Sequence, residues 1–256
     1  MKNKYLILSA IMTLAGFSTQ GQSSLILNSA GSFAVLGGSA VTSTGDTILN
    51  GNLGVYPGTS ITGFSPGIVN GVTYAGGPVA QQAEKDAVSA YNALKSETPI
   101  QDLSGQDLGT LILTPGVYFF SSSAQLTGTL VLNAQNDPNA IFVFQMGTTL
   151  TTATGASIDL INDAEADNVF WQVGSSATLG TGTSFYGSIL ADQSITMNTG
   201  ASLSGRALAL NAAVTLDDNI ITVSTAVPEP ASFWLLVFAL PFSALGWGWR
   251  RKAGHS

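Results

Sequence analysis

A seven-residue pattern, T-x-x-T-G-x-S, occurs four times in this chain: TSITGFS (59–65), TTATGAS (151–157), TLGTGTS (178–184) and TMNTGAS (196–202). Two degenerate copies, VTSTGDT (41–47) and AQLTGTL (124–130), bring the total to six. Recurrence of a local unit marks a repeat architecture, in which each unit buries its apolar side against the next. The last two full copies lie 18 residues apart, inside the blocks TLGTGTSFYGSILA and TMNTGASLSGRALA, which align without a gap and share seven of fourteen residues. The spacing is uneven, with 27 residues from Gly155 to Gly182 and 18 from Gly182 to Gly200, the longer interval holding the insertion INDAEADN. This predicts an imperfect β-solenoid with coils of unequal length, rather than a regular antiparallel sandwich.

The remaining patterning agrees. From Ser24 to about Tyr74, short apolar runs alternate with Asn50-Gly51, Pro57-Gly58, Pro66-Gly67 and Asn70-Gly71, which read as strands and corners. The strand pattern resumes at Leu103 and runs to Val223. AIFVFQMG (140–147) and NVFWQVG (168–174) are similar apolar segments, whose Phe142, Phe144, Phe170 and Trp171 are expected to fill the core or cover a helix contact. The helix is the segment of about 78–96. Val79, Ala83, Ala87, Ala90, Tyr91 and Leu94 fall on one face, with Gln82, Glu84, Lys85, Asp86 and Lys95 mostly opposite. Its narrow, alanine-rich stripe predicts a helix packed lengthwise along the solenoid.

Charge and composition exclude several functions. Between residues 22 and 227 three basic residues (Lys85, Lys95, Arg206) face fourteen acidic ones, a balance that repels nucleic acid and anionic lipid headgroups. Cysteine is absent and the single histidine, His255, lies in the C-terminal tail, so the usual nucleophile, base and zinc-ligand sets are missing from the body. A glycan-cleaving β-helix needs paired carboxylates, or acids with a basic residue, in a groove. Here Asp217 and Asp218 point to opposite sides if extended, and Arg206 is the lone basic residue of the repeat region. Asp163, Glu165 and Asp167 alternate as calcium ligands do, but lack the central Gly and closing Glu of an EF-hand loop, so they read as a solvated connection. No enzyme activity, metal or cofactor is expected.

Both ends read as addresses. Residues 1–21 combine Lys2 and Lys4, an apolar stretch from Tyr5 to Phe17 and a small or polar run to Gly21, which is the form of a secretory signal peptide. The folded body is then 22–226. At 227–256, Val227-Pro228-Glu229-Pro230 precedes the mostly apolar stretch Ala231 to Trp249 and the cluster Arg250-Arg251-Lys252. On physical grounds 231–249 reads as a membrane segment with a basic stop. The order Pro-Glu-Pro, apolar helix, arginine cluster resembles the PEP-CTERM sorting signal of Gram-negative bacteria. That resemblance implies export to the cell surface or medium, transient anchoring in the inner membrane, and cleavage near Pro228 to Pro230 by an exosortase-type enzyme.

Six stretches of the body carry a further resemblance: SAGSFAVLGGSAVTSTG (29–45), GNLGVYPGTSITGF (51–64), LTPGVYFFSSSAQLTGTLVL (113–132), DPNAIFVFQMGTTLTT (137–152), NVFWQVGSSATLGTGTSFYGSILA (168–191) and ITMNTGASLSGRALALNAAVTLDDN (195–219). Through them the body resembles the ice-binding-like family of secreted antifreeze proteins. It implies a mainly β fold, a discontinuous right-handed β-solenoid of triangular cross-section with one long α-helix packed alongside. It also implies a monomer whose partner is the ice crystal surface, bound through one flat face. Relatives with a disulfide have cysteines near positions matching Phe119 and Asp167, and this chain has neither. A T-A/G-x-T/N pattern on the binding face of some relatives is met fully by Thr44-Gly45-Asp46-Thr47; Thr62 to Ser65, Thr154 to Ser157, Thr181 to Ser184 and Thr199 to Ser202 end in Ser instead.

The candidate ice contacts are therefore Thr44, Thr47, Thr62, Ser65, Thr151, Thr154, Thr178, Thr181, Thr196 and Thr199. Stacked coils turn equivalent Thr and Ser positions into ladders about 4.7 to 4.9 Å apart. A threonine presents a methyl and a hydroxyl that ordered water can accommodate, whereas Lys or Glu holds its own hydration shell. Two arrangements fit the pattern: the heptad lies on the flat face, or its glycine marks a corner and some hydroxyls turn inward or cap the bend. A surface adhesin or matrix protein on the same scaffold is the alternative function.

Overall fold

The computed structural model describes residues 26–224; the signal peptide expected at 1–21 and the sorting segment expected at 227–256 lie outside the described residues. Short parallel strands stack in coils of three, each coil contributing one strand to each of three walls. The clearest wall is a seven-stranded parallel sheet in the order Ala124–Leu126, Leu150–Thr152, Ala177–Leu179, Ile195–Met197, Val214–Asp217, Ala40–Thr44, Ser60–Thr62. The chain order is broken within it, because the N-terminal strand Ala40–Thr44 pairs with the C-terminal Val214–Asp217. The same seam joins Phe33–Gly37 to Ser202–Ala209, and Ile48–Asn50 to Ile220–Thr222. The solenoid is thus discontinuous: residues 33–75 stack on the last coil, and after the helix the chain restarts at the far end and coils back toward the seam.

Alternation of side chains decides what each wall buries. Strands such as Ala177–Leu179 and Ile195–Met197 send only alternate residues inward, so their middle residue stays at the surface. By contrast Phe33–Gly37, Phe142–Met146 and Val169–Val173 are buried throughout, because one side meets the core and the other the helix. Both predicted roles of the aromatic segments therefore occur. Phe142, Phe144 and Trp171 belong to the central core, while Phe170 packs with the helix. Inside, Tyr118, Phe144 and Trp171 stack on successive coils with ring centroids 5.5 and 4.0 Å apart, and Phe185 closes the row, tilted on Trp171 at 4.8 Å.

The helix α1, Gly77–Ser96, lies along this wall through Ala83, Ala87, Ala90, Tyr91 and Leu94, against Phe33, Leu36, Val143, Phe170, Leu190 and Leu208. Three alanines in the contact let the helix axis approach the sheet closely. Pro78 sits in the first turn, where a missing N–H costs nothing. At the other end the Gln145 amide donates to the carbonyls of Leu94 (2.7 Å) and Glu97 (2.9 Å), satisfying groups a helix terminus leaves open. Among the described residues no helix is long and apolar enough to cross a membrane.

Three expectations need correction. Val79, placed on the packed face by periodicity, is 46% exposed, and Ala80 is buried in its stead. Glu84, placed on the polar face, is buried, since the stripe is wide enough to include the neighbour of Ala83. The acidic insertion is not wholly solvated: Asp163 and Glu165 are exposed, but Asp167 is buried and accepts from Arg206 Nη1 at 2.9 Å. Arg206 also donates to Gly31 O (2.6 Å) and Ser188 Oγ (3.3 Å), tying the insertion and the N-terminal turn to the last coil. Such a buried pair is costly to break from one side, because the remaining ion is left without compensation.

Neither carboxylate oxygen of Glu84 has a hydrogen-bond partner, and burial pushes its carboxyl from 4.5 up to about 8. The folded state therefore holds this proton more tightly than the unfolded chain does. Stability is fully present below the ordinary carboxylate pKa and is lost as pH rises through the folded value, at up to about 1.4 kcal/mol per pH unit. Thermal unfolding followed from about pH 5 to about pH 8 is expected to show a falling Tm, and Glu84→Gln to flatten that decline. Separately, Asp167→Ala is expected to cost about 3 to 5 kcal/mol in urea unfolding, by stranding the Arg206 guanidinium.

Candidate functional site

Six strands of the seven-stranded wall carry a three-residue unit: a small residue outward, an apolar residue inward, then a threonine outward. The units are Thr149-Leu150-Thr151, Ser176-Ala177-Thr178, Ser194-Ile195-Thr196, Ala213-Val214-Thr215, Ala40-Val41-Thr42 and Ser60-Ile61-Thr62, with Ser123-Ala124-Gln125 at one end. Strand register aligns Gln125, Thr151, Thr178, Thr196, Thr215, Thr42 and Thr62 in one outward row. Six adjacent coils thus present threonine at the same point, about 4.8 Å apart. Hydroxyls touch along the rows, as Thr42 to Thr215 at 3.5 Å and Ser194 to Ser176 at 3.0 Å. The inward partners Leu150, Ala177, Ile195, Val214 and Val41 are buried and back the wall with a continuous apolar layer.

Of the predicted residues, Thr151, Thr178, Thr196 and Thr62 stand in this row. Thr44, Thr154, Thr181 and Thr199 do not: they line the bend that follows, at the rim of the wall, where all four are exposed. The bend is made by the next residue, Gly45, Gly155, Gly182 or Gly200, with φ of 69°, 68°, 66° and 72°. The Ser that ends the full pattern, at 157, 184 and 202, lies beyond the bend on the third wall, in register along it. The heptad therefore wraps a corner, and its first threonine and its serine belong to different walls.

Two further corrections follow. Thr47 is completely buried, because it occupies the inward position just past the bend, equivalent to Ala156, Thr183, Ala201 and Asn219. It cannot reach a surface ligand; its hydroxyl accepts the Asn219 N–H at 3.2 Å. TSITGFS matches in sequence but not in phase: Thr62 stands in the row that the other full copies fill with their first threonine. Gly63 is required there by close approach as well as by its φ of 83°, since a Cβ would fall 1.7 Å from Ser43 O. Ser65 is exposed in the connection ahead of Pro66, outside the row.

Thr42 and Thr215, which the heptad does not single out, complete the row. The signal that finds them is the tripeptide small–apolar–Thr, which belongs to the strand rather than to the corner.

The other walls differ. One is covered by α1. On the third, the row through Ser157, Ser184 and Ser202 changes to Ile220, Ile48 and Ile68, and the row beside it runs Asp159, Tyr186, Ser204, Thr222, Asn50, Asn70. That surface mixes a carboxylate, a phenol, amides and isoleucines, with Ile220 and Ile68 each 52% exposed. Uniform chemistry at a uniform spacing is found on the threonine wall alone among the described residues.

Residues 35–222 match the family described as Ice-binding-like. The chain belongs to that family. The ice-binding protein of Nostoc sp. (strain HG1) is 52% identical over 243 residues, covering 91% of this chain and 90% of its own length. Ice-binding protein 1 of Shewanella frigidimarina is 35% identical over 74% of this chain, which spans only 25% of that longer protein. Among solved structures, an ice-binding protein from an Antarctic biological consortium is similar at TM-score 0.76 and 46% identity, covering 82% of this chain and 96% of its own. One from the ascomycete Antarctomyces psychrotrophicus gives 0.75 and 40%, covering 77% and 97%. Residues 226–252 match the PEP-CTERM protein-sorting motif, which holds Pro228, Glu229, Pro230, Arg250 and Arg251 and lies outside the described residues.

Within this ice-binding-like fold the corner behind the threonine wall is pinned by one buried amide. Asn219 Nδ2 donates to Asn198 O (2.9 Å) and Ala201 O (3.0 Å), its Oδ1 accepts from Asp217 N (2.7 Å), and its own N–H reaches Thr47. The side chain thereby ties its own coil to the preceding one, and the backbone N–H of the same residue carries the tie across the seam. Asn219→Ala is expected to destabilise the fold by about 2 to 3 kcal/mol in urea unfolding, because it leaves buried carbonyls without donors.

Proposed function

We propose that the protein is exported, binds ice through the threonine wall, and so inhibits ice growth and recrystallisation. The observation that carries this reading is the unbroken row Thr151, Thr178, Thr196, Thr215, Thr42, Thr62. A rigid sheet fixes both repeats of the surface: about 4.8 Å between coils and about 7 Å between outward residues of one strand. Each threonine methyl is surrounded by water that its neighbours force into the same arrangement, and each hydroxyl can bond into that layer. No reorganisation is then required when the layer joins a crystal. Adsorbed molecules make the front between them grow curved, which opposes further growth.

On this reading the action is non-catalytic, and the monomer suffices because the whole row lies on one chain. The sorting segment is proposed to hold the precursor at the inner membrane through 231–249 until an exosortase-type enzyme cleaves near Pro228 to Pro230. The wall's lack of basic residues and its hydroxyl chemistry support ice over a polyanion as the partner.

Thr196→Tyr, in the middle of the row, is expected to abolish most of the thermal hysteresis of the purified protein while leaving its unfolding temperature nearly unchanged. Ser184→Tyr, on the third wall, is expected to leave hysteresis intact. Equal activity of the folded Thr196→Tyr variant and the parent sinks the assignment of this wall. Exclusion of the parent protein from growing ice sinks the function itself and favours a matrix role.

A further inference from the structure

The rim beside the threonine row runs Thr154, Thr181, Thr199, then Asp217, then Thr44. Four coils place a threonine there, and the coil at the seam places a carboxylate. The bend is also shorter at this coil. Three residues, Asp217, Asp218 and Asn219, join Leu216 to Ile220, where the coil before it uses four between Met197 and Ser202. Asp217 is half-buried, and its carboxylate accepts from both flanking hydroxyls, Thr44 Oγ1 (Oδ1, 3.0 Å) and Thr199 Oγ1 (Oδ2). Its partner in sequence, Asp218, turns away to the corner and accepts from Asp46 N at 2.6 Å.

We infer that Asp217 is an activity-limiting residue of the ice-contacting surface, one that trades adsorption strength for closure of the seam. This rests on the threonine wall being the binding surface. The hydroxyls of Thr199 and Thr44 donate their hydrogen bonds to the carboxylate, Thr44 also lying 3.3 Å from Leu216 O, so neither is turned to donate to an ordered water layer at that point. It also keeps a tightly held liquid-like hydration shell, which an ice surface must displace or distort, and removing water from a charge costs far more than removing it from a hydroxyl. The rim therefore contributes on the Thr154 to Thr199 side and is interrupted at the seam, while the main row passes the seam without a charge.

The test is thermal hysteresis of Asp217→Asn and Asp217→Thr at equal molar concentration with the parent, with unfolding temperature measured beside it. Asp217→Asn keeps shape and one acceptor while removing the charge; Asp217→Thr completes the rim. Hysteresis at least about twofold above the parent in Asp217→Asn is expected, alongside an unchanged or lower unfolding temperature, because the charge-assisted bonds across the seam are weakened. Should Asp217→Thr fail to fold, Asp217→Asn alone decides. Activity in the parent that a folded Asp217→Asn fails to exceed overturns this inference and leaves the wall assignment standing. Absence of ice affinity in the parent and in every variant overturns both.

Discussion

The rest of the molecule depends on the pairing of residues 33–50 with residues 202–222. Strand pairing across this seam sets the lateral position of the coils built from residues 33–75, and a slip by one residue would turn the Thr42 and Thr62 side chains inward and Val41 and Ile61 outward. The register is accordingly fixed by more than backbone bonds. Asn219 reaches both sides of the bend, Arg206 holds the carbonyl of Gly31 from the last coil, and Asp217 bonds the hydroxyl of Thr44. These ties act where chain connectivity gives no help.

Given that register, the three walls are free to differ. One is sealed by a helix whose alanines let it lie close, so its outward residues become a second apolar layer. Another keeps a single chemistry along six coils. The third varies from coil to coil, as expected of a surface that only has to remain soluble. Behind all three, the aromatic row Tyr118, Phe144, Trp171 fills the interior on the coils away from the seam.

Much of this was legible in the sequence, for reasons that can be named. The repeat announced coils, and Gly155, Gly182 and Gly200 announced bends, because only glycine adopts positive φ there without strain. The helix was visible in its 3.6-residue period. What the sequence concealed was phase. TSITGFS has the right letters in the wrong place, since the close approach of Gly63 to Ser43 and the bend at Gly45 produce the same T-G dipeptide for different reasons. Thr47 looked equivalent to exposed threonines until the bend's geometry put it inside. Thr42 and Thr215 escaped notice because the strand pattern is only three residues long and no part of it is a turn. Glu84 went unrecognised because helical periodicity ranks residues by face but does not reveal how wide a face its neighbour will cover.

The spatial order of the coils also bears on how the chain can be made. Residues 101–222 coil continuously and can stack as they emerge, but Phe33–Gly37 must wait for Ser202–Ala209, more than 160 positions later. Contacts this distant are slow to form and come last. A nascent chain of this kind has no complete version of itself to fold into before its C-terminal coil is present. Residues 33–50 therefore stay without a stacking partner for as long as synthesis continues, and this early segment of the chain is the last to dock.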